Sequence, residues 1–207
     1  MTKIVFGTSN PKKLADLRVI PAPGIELLSL ADIGVSMPDI AEDGDTFAAN
    51  AQQKYDALRP LVPSRYILAC EDSGLEIPIL DYQPGVYSRR WNEERHEMTD
   101  EELINKTLAE LAGKSDRSAQ FVSAIAFGHT MHDQQVTQGI LSGSILPEID
   151  EAQRIHGMPY RALFHVDEAG LMLQELIDTL YSSRAVRTHR ELAWQQALLE
   201  IKKTLAS

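Results

Sequence analysis

With 207 residues and a mass of 23.1 kDa, the chain has the length of one domain, or one domain with a small lobe, burying about 70% of its unfolded surface. A formal charge of -10 argues against a general nucleic-acid binder, which needs a basic face, and the single cysteine, Cys70, excludes an internal disulfide and a multi-cysteine zinc site. Apolar runs fall far short of a membrane span and no cationic segment leads into an apolar one, so the expected setting is the cytoplasm, away from membranes.

In chain order, the apolar run Lys3–Phe6 reads as a buried strand, followed by "GTSNPKK" and helical periodicity from Pro11 to about Ile20. A second helix is expected from Thr46 to Leu58. Strands are expected at Tyr66–Cys70 and Leu75–Leu80, with "EDSG" forming a turn between them. A helix over Thr99–Leu111 and strands at Gln120–Phe127 and Gln138–Leu146 come next. The last helix runs from His189 to about Leu205 and places Leu192, Ala193, Ala197, Leu198, Ile201 and Leu205 on one face. Internal repeats, low-complexity tracts and linkers are absent. Strands and helices mixed without strict alternation point to an α/β or α+β sheet with helices packed on it.

Charge placement carries the first functional signal. Asn10 is a good N-cap and Pro11 suits the first helical position, which leaves Lys12 and Lys13 in a first turn where the macrodipole disfavours cations. The final helix repeats the pattern: Thr188 and Glu191 form a capping box, and His189 and Arg190 fall in its first turn. Cations beside free backbone N–H groups at two helix starts look like anion sites, the plain alternative being side chains extended into solvent. On the second helix, Phe47, Ala51, Tyr55 and Leu58 trace the buried face, with Asn50 and Lys54 beside it one turn apart. Lys54 either serves a site or snorkels its amine to the surface.

The acids form the counterweight. Glu42, Asp43 and Asp45 precede the second helix, and Glu71 and Asp72 end an apolar strand. Neighbouring strand residues face opposite ways, so Glu71 and Asp72 need not share a site. If either approaches Glu42, carboxylate ligands favour Mg²⁺ or Mn²⁺ over zinc.

Together these stretches resemble the Ham1-like inosine triphosphate pyrophosphatase family. "TSNPKK" is similar to its TxNxxK, "EDGDTFAANAQQK" to its ExGxTFxxNAxxK, and "EDSGLEIPILDYQPGVYSRRW" to its DSGL…PGVYSARY block. "FVSAIAF", "GILSGSI" and "THRELA" resemble later segments, so the likeness spans the chain in order. It implies an elongated central mixed sheet flanked by helices, a single domain over residues 1–207 with two lobes around a cleft, and a homodimer. It also implies Mg²⁺-dependent hydrolysis of a nucleoside triphosphate to monophosphate and pyrophosphate, clearing non-standard purine nucleotides. In this resemblance Thr8, Asn10, Lys13, Lys54 and Ser73 face the triphosphate, and Lys13 also assists catalysis. Glu42, Glu71 and Asp72 serve the metal, Glu71 also counts among the catalytic residues, and Asp72 is the base that activates water. Ser88 and Arg90 match the serine and arginine of the SAR run, and His189 and Arg190 match a pair that meets the nucleotide.

The likeness breaks at one place. Where the family has GFGYDPxF, which receives the base, this chain has "GMPYRALF". Met158 stands for the stacking phenylalanine and Arg161 for an aspartate, while Tyr160 and Phe164 are kept. Arginine only donates where aspartate accepts, which inverts the hydrogen-bond complementarity toward a base. Arg184 stands where the family has a lysine, keeping charge but changing donor geometry. The phosphate and metal half is thus intact and the base half rewritten. Two rivals follow: a nucleotide-binding sensor without turnover, and a phosphatase of another phosphorylated metabolite with Arg161 gripping a further anion. Cys70 reads as a buried small hydrophobe, His129, His132, His156 and His165 as surface or structural residues, and Trp194 as core.

Overall fold

A computed structural model describes residues 1–179 and 181–206. Its elements, in order, are β1 (Thr2–Gly7), α1 (Pro11–Arg18), β2 (Ile25–Ser29), α2 (Phe47–Leu58), β3 (Ile67–Ile77), β4 (Gln83–Pro84), α3 (Asp100–Glu110), β5 (Ser118–Gly128), β6 (Gln135–Ile145), β7 (Phe164–Val166), β8 (Leu171–Met172), α4 (Leu173–Asp178) and α5 (His189–Ala206). The sheet follows the order β2-β1-β3-β5-β6-β7-β8, with β4 paired to β3. β1 lies parallel to β2 and β3, whereas β3–β4, β6–β7 and β7–β8 are antiparallel. This is the mixed α/β fold with a central sheet that the sequence led us to expect. Among the described residues no helix is long and apolar enough to cross a membrane.

Contacts divide the chain into two compact units. The first comprises residues 1–73, 123–140 and 189 onward; the second comprises 74–122 and 141–188. Strands β3, β5 and β6 contribute residues to both.

In the first unit, local signals fix the helices. The Asn10 side chain accepts from Lys12 N with Pro11 at the first position of α1, and Thr46 accepts from Ala49 N at the start of α2. The core gathers Ile4, Val5, Phe6, Leu17, Tyr55, Leu58 and Leu68, and Trp194 meets Phe6 edge-on at 6.1 Å between ring centroids. Each such buried side chain contributes roughly 1.5–3 kcal/mol. At Gly139 on β6 a Cβ would lie 2.1 Å from the His189 carbonyl oxygen, so only glycine lets the first turn of α5 press onto the strand. The apolar stripe of α5 is as expected except at its end, where Leu205 is 51% exposed.

In the second unit, α3 starts on a capping box of Thr99 and Glu102, with Asp100, Glu101 and Glu102 in its first turn. Its core includes Leu75, Ile77, Trp91, Leu103, Phe121, Leu141, Ile145 and Phe164. Phe121 meets Phe164 edge-on at 4.8 Å and Tyr160 at 6.5 Å.

One expectation is overturned. "EDSG" is not a turn between two strands: β3 runs unbroken from Ile67 to Ile77, and Pro78–Leu80 forms a short 3-10 turn instead of strand. Buried carboxylates normally argue against a strand interior, but here protein cations and amides answer both of them, as described next.

Candidate active site

The site residues of the first unit come from α1 and the turn before it, α2, β3, β5 and α5. On the turn before α1, Thr8 Oγ1 accepts from Asn10 N at 3.1 Å and Asn10 Oδ1 accepts from Lys12 N at 3.0 Å. These bonds fold "TSNPKK" tightly and point the two lysines differently. Lys12 is exposed, whereas Lys13 Nζ lies 3.3 Å from Glu71 Oε2. The solvent alternative therefore holds for one lysine and fails for the other.

On α2, Asn50 and Lys54 are both buried. Lys54 does not snorkel outward: its Nζ donates to the Glu71 carbonyl oxygen at 2.9 Å and pairs with Glu42 Oε2 at 3.1 Å. Burial opposes the lysine's charge, but the Asp72 and Glu42 carboxylates outweigh it and hold the ammonium above its usual pKa. Asn50 donates to Asp72 Oδ2 at 3.0 Å and accepts from Gly44 N at 2.8 Å.

On β3, strand alternation separates the two acids as expected. Glu71 and Ser73 meet Arg190, while Asp72 meets Asn50. Glu71 Oε1 accepts from Ser123 Oγ at 2.8 Å and from Arg190 Nε at 2.9 Å. Burial would raise the Glu71 carboxyl, but Arg190, Lys13 and Ser123 prevail and hold it far below the usual carboxylate range. Asp72 behaves oppositely. Burial pushes its carboxyl up and the nearby Glu42 adds to this, against the pull of Lys54, Lys13 and the Asn50 hydrogen bond. A buried carboxylate with a raised pKa is a stronger proton acceptor than an exposed one.

Arg190 is a strut within the protein. Its Nη1 reaches Asp16 Oδ2 at 2.8 Å and its Nη2 reaches Ser73 Oγ at 3.3 Å, so every guanidinium nitrogen has a protein partner. His189 is buried beside it and helps keep Glu71 ionised. Asp16 and Ser123 belong to this cluster and escaped the sequence reading. Ser123 is the one hydroxyl in the apolar run "FVSAIAF", a signal that was available. Asp16 pairs with a residue 174 positions away, which no local pattern announces.

The donor set can be tested against a divalent metal. Glu71 does not fit, because one oxygen serves Ser123 and Arg190 and the other faces Lys13. Glu42 and Asp72 do fit, since both carboxylates act on the Lys54 ammonium. Among the described residues no group of three or more metal-type side chains is clustered.

The remaining candidates belong to the second unit. Ser88 Oγ donates to Gly85 O at 2.6 Å and accepts from Leu75 N at 3.0 Å, which fixes a backbone turn. Arg90 is half-buried. Tyr160 is buried and its hydroxyl donates to Ser88 O at 2.6 Å. Arg161 is buried as well, donating from Nη1 to Gln174 Oε1 at 2.8 Å. Arg184 donates to the carbonyl oxygens of Thr179 and Ile177 at the end of α4. Met158, half-buried, retains accessible surface where Tyr160 and Arg161 have almost none. Cys70 is fully buried and its thiol is pushed up to about 12 by burial, as a small hydrophobe should be. Trp194 is core, and the four histidines named above form no metal cluster among the described residues.

A parallel β1–β3 pair, a helix start whose half-buried lysine meets Glu71, and a carboxylate–cation cluster on the central strand define a site for phosphate chemistry. The profile of the Ham1 family matches residues 4–198, and the chain belongs to that family. It is 34% identical over 205 residues to the dITP/XTP pyrophosphatase of Christiangramia forsetii, covering 97% of this chain and 100% of that protein. With the Bacillus subtilis dITP/XTP pyrophosphatase it shares 34% identity over 179 residues, covering 85% and 86%. Among solved structures, the Ham1 protein of Staphylococcus aureus superposes with a TM-score of 0.75 at 26% identity, covering 98% of this chain and 100% of that one. A HAM1 protein from Coxiella burnetii gives 0.74 at 28% identity with the same coverage.

Proposed function

We propose that this chain is a nucleoside triphosphate pyrophosphatase: water cleaves a non-standard purine nucleoside triphosphate to the monophosphate and pyrophosphate. The relatives named dITP/XTP pyrophosphatase support this class of reaction. The observation that carries it is the cluster around Asp72: a carboxylate buried on β3 and held by Asn50, with the buried Lys54 ammonium paired to Glu42 beside it.

Charge balance explains the arrangement. Lys13, Lys54 and Arg190 face Asp16, Glu42, Glu71 and Asp72, so three cations already meet four carboxylates. A triphosphate adds about four more negative charges, a load that calls for a divalent cation. Glu42 and Asp72 would hold it, Mg²⁺ or Mn²⁺ by the hardness of their oxygens, and it would polarise the reacting phosphoryl group. Lys13 and Lys54 answer the phosphate charge. Asp72 orients water and accepts its proton. Arg190 and Ser123 keep Glu71 ionised and still, so that Lys13 stays aimed at the site. A homodimer acting in the cytoplasm completes the proposal, on the strength of the family resemblance.

Base preference falls to the "GMPYRALF" stretch. Arg161 is engaged with Gln174 and Tyr160 with Ser88, which leaves half-buried Met158 as the residue of that stretch we would test first for contact with a base. Asp72→Asn tests the assignment: kcat should fall at least about 10³-fold while a nucleotide analogue binds within a few-fold of wild type. Undiminished turnover would remove Asp72 from the role of base.

A further inference from the structure

We infer that Asn50 is a positioning residue whose buried carboxamide holds Asp72 and the loop of Glu42 in register, and that turnover depends on this bracket. The inference rests on the proposed reading of Glu42 and Asp72 as the working carboxylates of the hydrolase.

Asn50 lies one helical turn before Lys54 and is fully buried. Its two ends serve different segments. Nδ2 donates to Asp72 Oδ2 at 3.0 Å on β3, and Oδ1 accepts from the Gly44 amide at 2.8 Å in the loop before α2. A carboxylate only accepts and an amide N–H only donates, so just one orientation of the carboxamide satisfies both. This bond to Oδ2 fixes the orientation of the Asp72 carboxylate on β3. The loop is gripped equally closely. A Cβ at Gly44 would lie 2.7 Å from Ala49 Cβ and 2.9 Å from Asn50 Oδ1, so the backbone two residues beyond Glu42 presses directly on the helix. Lys54 ties the same two segments again from the next turn, through the Glu71 carbonyl and the Glu42 carboxylate. Helix α2 thereby sets the separation of Glu42 and Asp72 with two rungs, one neutral and one charged. The charged rung must adjust when a polyphosphate arrives. The neutral one need not, and it preserves the geometry through that exchange.

Two variants break the bracket from opposite ends. Asn50→Asp keeps the side-chain shape and the acceptor for Gly44 but replaces the donor by an oxygen facing Asp72. Gly44→Ala displaces the loop. Both would be compared with wild type in steady-state hydrolysis of inosine triphosphate with Mg²⁺, in calorimetric binding of its αβ-methylene analogue, and in thermal unfolding. In each, kcat should fall about 10²-fold, the loss produced by small misplacements of catalytic groups, while KM and analogue affinity stay within about threefold. Melting midpoints should move by no more than about 5 °C, and the double variant should lose little more than either single one, since both act on one contact. Unchanged kcat in Asn50→Asp would overturn the inference. So would a kcat loss that merely tracks lost analogue binding and a lost melting transition. A wild-type chain that yields no monophosphate from any nucleoside triphosphate would overturn the hydrolase reading itself, and this inference with it.

Discussion

The two units use basic side chains in opposite ways. In the first, Lys13, Lys54 and Arg190 are set against carboxylates in a buried cluster. In the second, Arg184 is spent on main-chain carbonyls and Arg161 reaches a glutamine amide. Both sets looked unusual in the sequence, and all but half-buried Lys13 are buried. The difference teaches that a buried cation marks a reactive site when its partners are titratable and leave an acid with a shifted pKa. A buried arginine that closes a helix end is doing structural work. Asp72, raised, and Glu71, lowered, stand side by side on β3, and such divergence between neighbours is the signature of assigned roles.

The sharpest way to break this contrast is Glu71→Gln. It leaves Arg190 buried without its central counter-charge and should cost on the order of 3 kcal/mol at neutral pH. The pH dependence has a definite sign. A free glutamate takes up its proton near 4.5, and in the fold this event is pushed lower. The stability contributed by Glu71 is therefore complete above that pH and is lost as pH falls toward the folded value. Urea melts across the acid range should show the wild type losing stability there and the variant a flatter acid limb. A smaller effect belongs to the second unit. Arg161→Leu deprives Gln174 of its donor and should cost about 1–3 kcal/mol in the same melts. An unmoved midpoint would show that bond to be dispensable and would return Arg161 to the candidates for reading the base. The smallest effect separates the neighbouring lysines. Lys12→Ala should change stability by less than about 0.5 kcal/mol, as an exposed substitution does, whereas Lys13→Ala should weaken analogue binding about tenfold or more.

Much of this was legible from the chain itself. The cap at Asn10 and the periodicity from Thr46 and Thr99 placed three helix starts within a residue, and all three starts are fixed by local hydrogen bonds. Periodicity found β1, β5 and β6, whereas β2 was missed: "IELLS" is half-buried throughout and does not alternate. The short elements between Phe164 and Asp178 were missed because two or three residues carry no period. The misreading of "EDSG" has an instructive cause. Turn chemistry was judged from Asp, Ser and Gly alone, yet what keeps β3 extended is Lys13, Lys54, Asn50, Ser123 and Arg190, drawn from four other elements. The same distance effect hid Asp16. Lys13, Lys54 and Arg190 were visible as cations out of place, but not their choice of partner, which only tertiary structure decides.

The central claim is that the first unit's cluster cleaves a nucleoside triphosphate between its first and second phosphates. It is tested most directly by incubating the purified chain with Mg²⁺ and a panel of standard and deaminated nucleoside triphosphates, quantifying pyrophosphate and orthophosphate separately. Pyrophosphate in equal amount to monophosphate, strongest with a deaminated purine and abolished by Asp72→Asn, is the predicted result. Orthophosphate as the first product, or no product from a folded chain that still binds nucleotide, would contradict it.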